Sequence, residues 1–207
     1  MEVLLRAALF GLMLLSSSVT FAAEECNIPP EVQRQDLHTL SEARWVLVEA
    51  FADNPVAVHF LKSANSSTVD LKLKDDNKTF TFIERNMLAG KECLIYRVNA
   101  SISDPETSNY TFHMHDDGLT EIDGEVTPYE NPGRANFHQG SPNCLIMNYS
   151  AVFMGKPGRV LLFYRSEGKP LDADELKAAK SKHRMVAECL NFNVDSSIRY
   201  DGKTELC

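Results

Sequence analysis

The chain has 207 residues, with 29 acidic against 21 basic side chains and a net charge of −8 at pH 7. An acidic excess of this size makes nucleic acid and anionic membrane surfaces poor partners, because both require basic patches. The length suits one domain with a sizeable core.

The first element is a leader. Arg6 precedes the apolar run Ala7 to Leu15, and small residues follow at Thr20, Ala22 and Ala23. This is the pattern of a secretory signal, with the cut after Ala22, so residues 1–22 are assigned to the signal and 23–207 to a single mature domain. The run is too short to span a bilayer, and no later stretch approaches a span.

Glu24 to Glu42 is polar and irregular, opened by Pro29-Pro30. Residues 43–51 then read as a strand rich in Val, Leu and aromatics, and they hold the only tryptophan. Strict alternation puts Trp45, Leu47, Glu49 and Phe51 on one face and Val46, Val48 and Ala50 on the other. Asp53-Asn54-Pro55 is a turn, and Val56 to Ala64 is a loop or one helical turn. Alternation resumes at Val69, Leu71 and Leu73. Further strands are predicted over 79–87, 91–101, 110–115 and 119–128. Tyr129 to Asn143 reads as a long loop, with Pro132, Gly133, Gly140 and Pro142. Strands follow over 144–153 and 160–165. Eight short strands joined by turns indicate an antiparallel sandwich or barrel.

After Arg165 the pattern changes. Asp172 and Glu175 form a capping signal, and Leu176, Ala179, His183, Val186 and Leu190 recur at helical spacing. One amphipathic helix over about 173–189 is predicted, its apolar stripe against the sheet and His183 packed within it. Ile198 to Tyr200 form a last short strand. Arg165 ends the eighth strand, and its guanidinium stacked on the Trp45 indole would contribute about 0.5–2 kcal/mol. A core tryptophan and an unrelated surface arginine fit the same pattern.

The five cysteines, Cys26, Cys93, Cys144, Cys189 and Cys207, all lie in the mature part. In an oxidising compartment they make two disulfides and one odd thiol, and arithmetic leaves the pairing open. Sequons at Asn65, Asn77, Asn99, Asn109 and Asn148 indicate a glycoprotein whose glycans point to solvent. No nucleophile elbow, zinc-protease motif, paired-cysteine motif or phosphate loop is present, so no catalytic residue, no metal and no cofactor is expected, and the chain is read as a non-enzyme. His113 and His115 share a strand face, with His138 downstream. Such a pair ligates a metal only if a third ligand converges, and is otherwise a polar strand face.

Eight strands, one C-terminal helix, an early strand tryptophan in Ala43-Arg44-Trp45 and a late strand arginine at Arg165 resemble the lipocalin family. The family's glycine two residues before the tryptophan is replaced by Ala43, and its middle motif is not recognisable around Asp116 to Thr127. Asp76-Asn77-Lys78-Thr79, Lys91 to Tyr96, Lys169-Pro170, Val186 to Leu190 and the terminal Cys207 resemble the alpha-1-acid glycoprotein (orosomucoid) branch. The fish proteins that bind saxitoxin, tetrodotoxin and tributyltin are similar to that branch. The resemblance implies an eight-stranded up-and-down barrel over about 43–166 and a C-terminal tail stapled by Cys207. It also implies the disulfides Cys26–Cys189 and Cys93–Cys207, each stabilising by about 4–5 kcal/mol in the loop-entropy model. Cys144 has no counterpart; a free outward thiol there allows a reducible dimer of an otherwise monomeric chain.

A barrel of this size holds one small ligand. With Asn148 and Asn99 outward, Leu145, Met147 and Tyr149 face in, as do Tyr96 and Val98. Leu47, Glu49 and Phe51 would climb the wall above Trp45, and Ile83, Arg85 and Met87 would add a second charge. On this reading Glu49 pairs with Arg85 or with a cationic ligand. The expected function is extracellular transport of a small, largely apolar or amphipathic molecule, cationic or toxin-like in one form. The alternatives are a binding or immunomodulatory glycoprotein without a transport ligand, and a cavity-cysteine lipocalin enzyme. The same side chains would also fill a solid core.

Overall fold

A computed structural model of the chain describes residues 26–103, 111–168, 173–200 and 204–207. The leader, Asn109, Lys169-Pro170 and the Asp172 cap lie outside the described residues. In chain order the elements are α1 (Leu37–Glu42), β1 (Arg44–Ala52), α2 (Pro55–Ser63), β2 (Ala64–Leu73), β3 (Thr79–Leu88) and β4 (Cys93–Ile102). Then come β5 (Thr111–Met114), β6 (Gly118–Ile122), β7 (Glu125–Tyr129), β8 (Gly133–Ser141), β9 (Cys144–Phe153) and β10 (Lys156–Ser166). α3 (Ala173–Cys189) and β11 (Ile198–Arg199) complete the chain.

All neighbouring strands are antiparallel, and the sheet closes on itself because β3 pairs with both β2 and β4. β5 and β6 both pair with β4, and β8 and β7 pair with β5 and β6 in turn. Each of these couples therefore acts as one interrupted stave, and the barrel has eight: β1, β2, β3, β4, β5/β6, β7/β8, β9 and β10. The expected number of strands holds, with a different division. Residues 119–128 are a hairpin turning at Asp123-Gly124, where both residues have positive φ. The expected loop over 129–143 contains β8, whose apolar positions Ala135 and Phe137 are buried. Two prolines and two glycines hid it, since all four sit at or near its ends. Residues 55–63 form a full helix, because the Asn54 side chain accepts from the amides of Val56 and Ala57, both at 2.9 Å, and Pro55 occupies the first turn.

Trp45 closes one end. It is 1% exposed, and its Nε1 donates to the Leu40 carbonyl at 3.1 Å. Leu37 and Leu40 on α1 are buried beneath the barrel. This corrects the expected role of Arg165. The register sets Arg165 opposite Val46, on the other face of the sheet from Trp45, and its guanidinium donates to Cys144 Sγ at 3.7 Å.

α3 packs outside the barrel. Val186 and Ala187 join Phe51, Ile146, Leu161, Phe163 and Phe192 in a second apolar layer. Cys26–Cys189 ties the N-terminal segment to the end of α3, and Cys93–Cys207 ties the start of β4 to the C-terminus. Cys144 is free. Of the sequons, Asn65 and Asn77 are exposed, while Asn99 and Asn148 are half-buried on their strands.

Candidate ligand cavity

The inner face of the barrel is set by pairing, because residues directly opposite each other on neighbouring strands share a face. On β9, Leu145, Met147 and Tyr149 turn inward, as the alternation around Asn148 requires. On β4 the inward residues are Tyr96, Val98 and Ala100. Glu84 lies opposite Tyr96 in the β3–β4 ladder, so β3 turns Phe80, Phe82, Glu84 and Asn86 inward. The expected inward set on β3, Ile83, Arg85 and Met87, has the opposite parity. Arg85 is ion-paired with Asp70 on the outer face. The alternation Thr79-Phe80-Thr81-Phe82 carried the correct parity in the sequence.

β1 departs from alternation for a different reason. Leu47 pairs with Tyr164 and Glu49 with Phe163, so Val48 is an extra residue, a β-bulge. Below the bulge Trp45 and Leu47 face in; above it Ala50 and Ala52 do. Glu49 and Phe51 are thereby moved outside, under α3. Phe51 packs edge-on against Phe163 at 5.9 Å. Glu49 pairs with neither Arg85 nor the cavity. Its Oε1 accepts from Arg199 Nε at 2.7 Å and its Oε2 from His183 Nδ1 at 2.9 Å. Burial works to raise its pKa, but these two partners outweigh it and hold the carboxyl below its ordinary value.

The cavity inside the barrel measures about 80 Å³. Tyr96, Val98, Met147 and Tyr149 line it, as expected from alternation. Trp45, Leu47 and Leu145 lie in the core toward the closed end and do not line it. The remaining walls are Phe82 and Glu84 on β3, Met114 on β5, Phe153 on β9, and Val160 and Leu162 on β10. Phe60 and Leu61 on α2 and Tyr129 with Asn131 border it as well. These were missed because α2 and the end of β7 were read as loop. Phe60 and Tyr129 each meet the Tyr96 ring edge-on, at 6.0 and 5.0 Å. A cavity of this volume takes a small group, being smaller than the ~150 Å³ apolar cavity that admits benzene.

One polar cluster interrupts the apolar wall. Glu84 is enclosed by the barrel, and the surface it keeps open faces the cavity. Ser67 Oγ donates to its Oε1 at 3.4 Å. Burial pushes its carboxyl pKa up, and the neighbouring Asn86 and Ser67 only partly oppose this. The Asn86 amide nitrogen and the Tyr164 hydroxyl are buried without a hydrogen-bond partner. Among the described residues lining the cavity none is basic.

The histidines do not converge. His115 is bonded to Ser101 and His138 to the Pro29 carbonyl, both at 2.9 Å. Among the described residues no group of three or more His, Cys, Asp or Glu is placed to hold a metal.

No family model matches the chain. Over 185 residues, 89% of the chain, it is 33% identical to saxitoxin and tetrodotoxin-binding protein 1 of Takifugu pardalis. Over 187 residues, 90% of the chain, it is 33% identical to saxitoxin and tetrodotoxin-binding protein 2 of the same fish. The chain spans 45% of each, a little under half the length of these relatives. Among solved structures, a siderocalin superposes with a TM-score of 0.58 at 9% identity, over 81% of this chain and 97% of that one. A bovine lipocalin allergen gives 0.53 at 12% identity, over 79% and 93% of the two chains. A dog lipocalin allergen gives 0.53 at 18% identity, over 79% and 94%. At these identities the likeness to the solved structures is one of fold.

Proposed function

We propose that the chain, whose fold is that of the lipocalin structures it superposes on, is a secreted carrier of a small, largely apolar or amphipathic molecule held inside the barrel. The observation that carries this reading is the aromatic cavity inside the barrel, apolar in most of its wall with a few polar groups, the usual composition of a small-molecule site. The two fish relatives are named for binding saxitoxin and tetrodotoxin, which supports a toxin-like ligand as the finer form of the proposal.

Extracellular residence is part of the proposal. The leader over 1–22, two disulfides and the exposed sequons Asn65 and Asn77 support it. So is the absence of catalysis. The spare thiol, Cys144, starts β9 at the Trp45 end of the barrel and does not line the cavity.

The test is mass spectrometry of small molecules that co-purify with the native glycoprotein, followed by melting curves against a panel of apolar and amphipathic compounds that includes both toxins. A carrier shows a saturable rise in melting temperature with at least one of them. No co-purifying molecule and no shift across the panel would overturn the proposal in favour of a glycoprotein that acts through its surface.

A further inference from the structure

We propose that the cavity takes up an organic cation, a protonated amine or amidine, in exchange for the proton of Glu84. The inference rests on the carrier reading and adds the chemical class of the ligand and the event that accompanies its binding.

The Glu84 carboxyl group lies on the inner face of β3 and borders the cavity. Ser67 on β2 reaches it, and Asn86 lies beside it on its own strand. Among the described residues the ionisable groups that face it from the other elements are tyrosines: Tyr96 on β4, Tyr129 at the end of β7, Tyr149 on β9, Tyr164 on β10 and Tyr200 after β11. Each of these hydroxyls is itself pushed up by burial, so each stays neutral. No described cavity residue offers Glu84 a positive charge. A carboxylate without a partner in such surroundings is costly, and it holds its proton instead.

A cationic ligand removes that cost. The ammonium sits against the carboxylate, and the ring faces of the surrounding tyrosines favour positive charge. The step balances as R–NH₃⁺ plus Glu84–COOH giving R–NH₃⁺ held by Glu84–COO⁻, with one H⁺ released to solvent. One positive charge enters and one leaves, so the interior stays neutral throughout. A neutral ligand would gain the apolar wall but would leave the proton on Glu84.

The experiment uses the full mature glycoprotein and two small isosteric pairs, ethylamine with ethanol and n-propylamine with 1-propanol. Titration calorimetry at pH 6 in two buffers of different ionisation enthalpy counts the protons released. At this pH an ordinary carboxyl is already ionised, so protons released on binding come from one displaced upward. The expected result is proton release with each amine and none with the alcohols. Glu84→Gln keeps the shape and should weaken the amines at least tenfold more than the alcohols and abolish proton release. Amine binding without proton release, or equal amine affinity in Glu84→Gln, overturns the exchange and leaves the carrier reading standing. Alcohols that bind where amines do not have the same consequence. If neither class binds, the exchange falls, and the carrier reading is decided separately by the co-purification and melting panel.

Discussion

Glu49 Oε2 accepts a hydrogen bond from His183 Nδ1 at 2.9 Å across the seam between β1 and α3, and the imidazole stacks on Phe163 with ring centroids 4.0 Å apart. The carboxylate side chain is 3% exposed, while its second partner, Arg199, is 53% exposed. The pair joins helix to barrel and takes no part in the cavity. Glu49→Gln should therefore lower stability by about 1–3 kcal/mol, the cost of leaving a buried donor poorly satisfied, without altering ligand affinity. Arg199 can rehydrate, which keeps the loss below that of a fully buried pair. The folded carboxyl is held below its ordinary value, so its contribution is present above the unfolded value and lost as pH falls through the folded one. Urea unfolding of both forms from pH 7 downward should show the gap closing in acid.

The two disulfides close sequence separations of 163 and 114 residues. In the loop-entropy model each stabilises by about 5 kcal/mol. Peptide mapping without reduction should recover Cys26–Cys189 and Cys93–Cys207, with Cys144 alkylated. Cys144→Ser should leave the melting temperature within about 1 kcal/mol equivalence of the parent and should abolish any reducible dimer. A Cys144 bridge to one of the four paired cysteines would contradict the structure.

Much of this was legible because alternation survives wherever strands are regular. Met147 and Tyr149, Tyr96 and Val98 were placed correctly from their neighbours at Asn148 and Asn99 alone. β1 failed above Leu47 because a bulge adds one residue, and one residue inverts every later side chain. Nothing in Arg44 to Ala52 marks Val48 as that residue; only the pairing with β10 does. β3 failed although its signal was present in two threonines alternating with two phenylalanines. Asn54 before Pro55 read as a turn, and the same two residues cap α2. The cavity carboxylate was sought on β1 and is on β3. The difference is between a glutamate with two partners outside the barrel and one with no cation inside it.

At Gly133 the backbone runs close against the cavity wall. A Cβ built there would lie 2.4 Å from the Tyr149 ring. Gly133→Ala must displace that ring, whose hydroxyl reaches the Asn131 carbonyl at 3.5 Å. The ring borders the cavity, so the displacement changes cavity shape more than it changes the fold. Ligand affinity should fall at least tenfold, about 1.4 kcal/mol, with a stability loss of about 1–3 kcal/mol from overpacking. A variant that binds normally would show that the ring moves outward at no consequence to the site. Melting curves with and without the best compound from the ligand panel measure both effects.

Glu84 should show the opposite pH behaviour to Glu49. Its folded carboxyl is displaced upward by burial from the ordinary value of 4.5. As pH rises above that value, the unfolded chain gives up the proton while the folded chain keeps it. The folded state then binds more protons, and stability falls with rising pH until the folded group also ionises. Glu84→Gln has no proton to hold. It should come close to the parent at pH 4, where the carboxyl is largely protonated in both states, and should be the more stable of the two at pH 8. Glu49→Gln should be less stable than its parent at pH 8. Urea unfolding of the three proteins at the two pH values therefore separates the carboxylates by sign. A Glu84→Gln protein less stable than the parent at pH 8 would mean that Glu84 is ionised against a cation of the protein itself, and the cavity would then have no proton to exchange.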